Sequence, residues 1–225
     1  MTSRLSTGTS EVTIPPSDLV GTLTVPQHAR GLIIFAHGSG SSRQSPRNQA
    51  VAGALNKLTF ATLLFDLLTP SEEADRANVF DISLLAERLV NVVQWLGVQE
   101  PSIAALPVGL FGASTGAAAA LVTAARLPER VRAVVSRGGR PDLAGHALPM
   151  VRSPTLLIVG GADFSVIELN QAALTELAVP KALEIIPGAT HLFSEPGAMD
   201  AVIAHAAHWF DQYLTARGRQ GPRTE

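Results

Sequence analysis

The chain has 225 residues, 46% of them hydrophobic and 16% charged, with a formal net charge of −2. That length fits one domain with a sizeable core, and the composition excludes a disordered chain and a globally basic nucleic-acid or anionic-membrane binder. The absence of cysteine excludes disulfides, thiolate metal sites and a cysteine nucleophile.

Met1 to Gly8 contains no apolar stretch of the signal-peptide kind, and no apolar run approaches the roughly 20 residues of a membrane span. A soluble, cytoplasmic protein is expected. Residues 1–10 are polar and are expected to form a flexible N-terminus. Val12 and Ile14, then Leu19 to Val25, alternate between prolines and predict two antiparallel edge strands. Gly31 to His37 is a continuous apolar run, as a strand buried on both faces requires. It ends in the glycine- and serine-rich loop His37-Gly38-Ser39-Gly40-Ser41-Ser42.

A helix is predicted from Pro46 to Leu58, then a second buried strand at Ala61 to Phe65, followed by Asp66 at the site edge or capping a turn. The acidic cluster Glu72, Glu73 and Asp75 reads as a solvated loop. Val79 to Gly97 carries Leu84, Leu85, Leu89, Val92, Val93 and Leu96 at helical spacing. After the strand ending near Ala113, further strands are expected at Val131–Ser136, Pro154–Gly160 and Ala182–Pro187. Helices are expected at Ile167–Leu177 and Ala198–Leu214, and residues 217–225 form a polar tail. Buried strands alternating with amphipathic helices predict an α/β fold over residues 11–216. The sheet is expected to be mostly parallel, with about eight strands, helices on both faces and no large cap domain.

The chain is organised around Gly112-Ala113-Ser114-Thr115-Gly116, between an apolar run and the alanines Ala117 to Ala120. Gly-x-Ser-x-Gly between strand and helix is a nucleophile elbow. Small residues two positions away allow the sharp turn, and the helix N-terminus directs free N–H groups toward the serine oxygen. A serine needs a base. Asp163 follows a later strand, after Val159-Gly160-Gly161-Ala162, and His191 follows the next, after Pro187-Gly188-Ala189-Thr190. Taken singly, Asp163 reads equally well as a helix cap and His191 as an ordinary loop histidine. The order serine, acid, histidine at three strand ends predicts a triad: Ser114 as nucleophile, His191 as base and then acid, Asp163 orienting the imidazole.

An oxyanion hole is expected from the N–H groups of Thr115 and Ser39, with Gly40 the second choice after Ser39. Gly38 and Gly40 are expected to line the substrate site, and His37 to fix its loop by hydrogen bonding. Arg137 and Arg140 follow a strand on the same edge, and either suits a substrate carboxylate or phosphate. The alternative is pairing with Asp142 or with the acidic cluster. His205 and His208 share a helix face but lack a third ligand, so no metal is expected, and no cofactor motif is present.

Gly112–Gly116, His37–Gly40, Gly160–Asp163 and Pro187–His191 together resemble the α/β-hydrolase superfamily in its compact dienelactone-hydrolase-like branch. The resemblance runs from Leu19 to Leu214. Ser136 to Ala144 is similar to the hydrolase part of bacterial proteins that fuse such a domain to a phosphoribosyltransferase. Dienelactone hydrolases use a cysteine nucleophile where this chain has Ser114, so the resemblance implies a general carboxylic ester hydrolase acting on small molecules. Two other readings stay open: acyl transfer or carbon–carbon bond hydrolysis on the same triad, and a non-catalytic binding module that keeps the fold.

Overall fold

The structure is a computed structural model that describes residues 7–99 and 101–214. The expected 217–225 tail and the first six residues lie outside these.

Eight strands form one sheet: β1 (Gly8–Ile14), β2 (Leu19–Val25), β3 (Leu32–Ala36), β4 (Ala61–Phe65), β5 (Val108–Ala113), β6 (Val131–Arg137), β7 (Thr155–Gly160) and β8 (Lys181–Ile186). Their order across the sheet is β1-β2-β4-β3-β5-β6-β7-β8. β2 runs antiparallel to both β1 and β4, and every other pair is parallel. β3, β4, β5 and β7 are buried at every residue, which explains why their sequences are continuous apolar runs.

Helices cover both faces: α1 (Pro46–Lys57), α2 (Pro70–Glu73), α3 (Arg76–Phe80), α4 (Ile82–Leu96), α5 (Pro101–Ala104), α6 (Thr115–Arg126), α7 (Phe164–Glu176) and α8 (Ala198–Leu214). Strand alternation divides the core. Leu32, Ile34, Leu63, Leu110 and Val134 pack toward α4 and α6. Ile33, Phe35, Leu64, Phe111 and Val135 pack toward α1 and α8. The fold class is therefore the expected one, a single-domain α/β fold. Among the described residues no helix is long and apolar enough to cross a membrane.

The structure corrects four local expectations. Gly8 to Ser10 is not loose, because it pairs with Leu23 to Val25 and starts β1. β2 is an interior strand, held between β1 and β4. The acidic cluster is helical rather than a loop, and although Glu73 and Asp75 are exposed as expected, Thr69 and Glu72 cap α2 reciprocally, and Glu72 also meets Arg88 at 2.5 Å. The Thr69 N–H holds the Glu72 carboxyl below its ordinary pKa. Finally, the helix expected to start at Val79 is broken at Asp81, which ends α3 and whose carboxylate accepts the Leu84 N–H (3.0 Å) at the start of α4. An aspartate that caps the next helix competes with continuing the previous one.

The elbow depends on close approach. A Cβ at Gly116 would fall well inside contact distance of the Ala36 and His37 carbonyl oxygens, and one at Gly112 would overlap the backbone of Ala117. The obstructing atoms are backbone and cannot rotate away. Gly116→Ala should therefore lower stability by about 3 kcal/mol, measured by urea unfolding. A loss within about 0.5 kcal/mol would mean the elbow has slack that the structure does not display.

Candidate active site

Ser114 joins β5 to α6 with φ 50° and ψ −123°. A residue with a Cβ pays roughly 1–3 kcal/mol for such a backbone unless its surroundings hold it there. Here the Ser114 N–H reaches the Arg137 carbonyl at 3.4 Å, and the Ser114 carbonyl accepts the Arg140 N–H at 3.1 Å. Gly38 closes the other side, since a Cβ there would stand 2.8 Å from Ser114 Cβ. The serine side chain caps nothing in α6 and is left for chemistry.

Asp163 resolves its two sequence readings. It does occupy the N-cap position of α7, yet its side chain makes no capping bond. Its Oδ2 lies instead 2.7 Å from His191 Nδ1. The helix start forgoes an ordinary cap so that the carboxylate can hold the imidazole. Asp163 is largely shielded, whereas the His191 side chain is 40% exposed and open to a substrate. His191 lies across the Gly138–Arg140 turn from Ser114: a Cβ at Gly138 would stand 3.7 Å from His191 Cε1. Among the described residues no hydrogen bond joins the Ser114 hydroxyl to His191. Such bonds commonly tighten only when substrate binds.

The two expected oxyanion donors stand together. Thr115 is the first residue of α6, where amide N–H groups lack intrahelical acceptors. The Ser39 N–H donates to Thr115 Oγ1 at 3.1 Å. Gly38, Ser39, Gly40 and Thr115 border a cleft whose apolar side is Leu67, Leu68, Val79 and Leu85. The sequence pattern does not bring these four positions to the site: it places Val79 and Leu85 only on a helix.

His37 fixes this loop, as expected. Its Nε2 accepts the Leu67 N–H at 3.0 Å, which puts the proton on Nδ1, 3.0 Å from the Gly38 carbonyl. Asp66 takes the first of its two expected places, lining the cleft at the site edge, where it accepts from the Arg43 N–H (2.7 Å) and the Arg43 guanidinium (2.6 Å). Of the two candidate anion binders, Arg140 is committed to Asp142 through bonds of 2.9 and 2.7 Å. Arg137 is buried, with Nε and Nη1 unpartnered. His205 faces Glu184 at 3.9 Å, and among the described residues no three His, Asp or Glu side chains group as metal ligands.

A strained serine after a central parallel strand, flanked at the same sheet edge by an Asp–His pair, defines an α/β hydrolase. The comparisons with known proteins agree. Residues 28–215 match the dienelactone hydrolase family, and the chain belongs to it. It is 54% identical to a dienelactone hydrolase from Anabaena variabilis of known structure, with a TM-score of 0.87 over 93% of this chain and 98% of that one. Est1E from Butyrivibrio proteoclasticus shares the fold at 16% identity, with a TM-score of 0.76 over 92% of this chain and 98% of that one. A Mycobacterium tuberculosis protein provisionally named a phosphoribosyl transferase is 58% identical over 211 residues, 94% of this chain but 47% of that protein. The chain thus spans about half the length of that relative.

Burial lowers the folded-state pKa of His37 below its ordinary 6.5. The unfolded chain therefore takes up this proton first as pH falls. Stability tied to neutral His37 is whole above pH 6.5 and is lost between there and the lower folded-state value. His37→Gln cannot titrate, so its melting temperature should fall less steeply than that of the wild type between about pH 7 and about pH 5. Parallel melting curves for the two proteins would remove His37 as the source.

Proposed function

We propose that this hydrolase cleaves small carboxylic esters through an acyl-enzyme on Ser114. The observation that carries the reading is the Asp163–His191 bond, made by a helix-start aspartate that leaves its own helix uncapped. Such a bond orients a histidine, and orienting a histidine at this sheet edge serves proton transfer to and from Ser114.

The ester carbonyl oxygen would enter toward the amides of Thr115 and Ser39, displacing the Thr115 hydroxyl from the Ser39 N–H. Ser114 Oγ attacks the carbonyl carbon while His191 Nε2 takes its proton. The tetrahedral oxyanion is held by the two amides, and the Asp163 carboxylate stabilises the imidazolium. The carbon–oxygen bond to the alcohol then breaks, with His191 returning its proton to the leaving oxygen. Water repeats the sequence: it loses a proton to His191 and attacks the acyl carbon, and collapse releases the acid and restores Ser114. The apolar wall of Leu67, Leu68, Val79 and Leu85 supports an uncharged hydrocarbon portion on that side of the ester.

A panel of p-nitrophenyl esters, from short to long acyl chains, tests the proposal. Ser114→Ala should lower kcat by about 10⁴-fold or more. Asp163→Asn should lower it by about 10⁴-fold with little change in KM, since it misplaces the imidazole proton without emptying the cleft. A wild-type protein that neither cleaves the panel nor is labelled at Ser114 by a serine-directed phosphonate would sink the esterase reading.

A further inference from the structure

The Gly138–Arg140 turn lies among the three members of the proposed triad. The Arg140 N–H donates to the Ser114 carbonyl at 3.1 Å. A Cβ at Gly138 would stand 3.2 Å from the His191 carbonyl oxygen and 3.7 Å from His191 Cε1. Asp163 begins α7, and that helix reaches the same turn through Asn170. Three contacts hold the turn. The Gly138 N–H is fixed on β7 through the Ile158 carbonyl (2.7 Å). Gly139 is pressed against α6, since a Cβ there would come 2.6 Å from Ala117 Cβ. Gly139 is buried, and among the described residues no backbone N–H reaches its carbonyl. The donor to that carbonyl is Asn170 Nδ2, at 3.0 Å.

Asn170 is costly where it stands. It is fully buried, on the face of α7 that also buries Val166 and Ala173. Its Nδ2 donates a second bond to the Val166 carbonyl (2.7 Å), one turn back in the same helix. Two carbonyls facing the amide fix its orientation, because only the NH₂ end can donate. Oδ1 is thereby turned away from both, buried and without a hydrogen-bond partner. A half-satisfied buried amide serves a core less well than an apolar side chain of the same shape. The Val166 bond stays within α7, so the Gly139 bond is what the asparagine adds. Asn170 and Asp163 stand on one helix, about two turns apart.

We propose that Asn170 is a positioning residue: by clasping the Gly139 carbonyl it ties the helix that begins at Asp163 to the turn that holds Ser114, and so fixes the spacing of Ser114 and His191. Its effect on turnover rests on the esterase reading of Ser114; the clasp itself does not.

Asn170→Thr separates the two bonds. In α6, Thr123 Oγ1 donates to the Ala119 carbonyl one turn back (2.8 Å). A threonine side chain at position 170 would bond the Val166 carbonyl in the same way and fall short of Gly139. With p-nitrophenyl acetate, kcat should fall by at least about tenfold while KM stays within about twofold, because misplaced reacting groups lose rate rather than binding. Labelling of Ser114 by a serine-directed phosphonate should slow by the same factor. Exchange of the Arg140 amide hydrogen, followed by NMR, should quicken by at least about tenfold while the amides of α4 keep their wild-type rates. Asn170→Leu, which continues the apolar face of α7, takes over if the threonine protein fails to fold. A folded variant with wild-type kcat, or with wild-type exchange at Arg140, overturns the proposal and leaves the esterase reading intact. A wild-type protein that neither cleaves the ester nor takes the phosphonate rejects the esterase reading instead, and exchange at Arg140 then decides alone for or against the clasp.

Discussion

The backbone at Ser114, with φ 50° and ψ −123°, is the constraint around which the neighbouring elements are arranged. It survives because β6 holds it from one side through the Arg137 carbonyl and the Arg140 N–H, while the loop after β3 closes on it from the other through Gly38. Gly112 and Gly116 let α6 come down onto β5 and the end of β3. Removing any of these contacts would free the turn to relax toward an ordinary conformation. The same contacts bring the Gly38–Gly40 loop, the Gly138–Arg140 turn and the His191 loop to one edge of a parallel sheet, the place where such sheets assemble sites.

Around that turn several local rules of stability are broken together. Asp163 stands at a helix start and does not cap it. Arg47 and Arg137 bury guanidinium donors with no counter-charge. Beside these groups other local rules are kept: Thr69 and Glu72 cap α2 reciprocally, Asp81 caps α4, and Arg140 pairs with Asp142. Departures of this kind are what a site produces, since groups reserved for a substrate cannot also be satisfied by the fold.

Ser39, Ser114, Thr115, Arg137, Asp163 and His191 all lie within the 28–215 stretch that matches the dienelactone hydrolase family. The chain's likeness to about half of a longer mycobacterial relative therefore includes the whole of the candidate site. Every group invoked for nucleophilic attack, proton transfer and oxyanion binding comes from this single fold. The serine in place of the cysteine expected of dienelactone hydrolases changes what the neighbours must do, because a hydroxyl depends more heavily than a thiol on an oriented base. In the proposed reaction the Asp163–His191 bond meets that need.

Local pattern was enough to place most strands and helices, because burial on both faces of a parallel sheet writes itself into continuous apolar runs such as Leu32–Ala36 and Ala61–Phe65. It was enough for Ser114 as well, since only small residues on either side permit the turn. Where two local preferences competed, pattern could not decide. Asp81 broke a helix that periodicity continued, and backbone pairing with β2 captured Gly8 to Ser10. Charges were the least legible. The sequence held Arg137 and Arg140 as equals, and passed over Arg47, although an arginine in the first turn of a helix is itself a broken rule. Only the packed structure paired Arg140 with Asp142 and set Arg47 against Arg137, whereas the order of serine, acid and histidine along the chain had already matched Asp163 to His191. The physical reason is range: strand and helix preferences are decided within a few residues of chain, while a charge's partner is decided by distances through space that only folding creates.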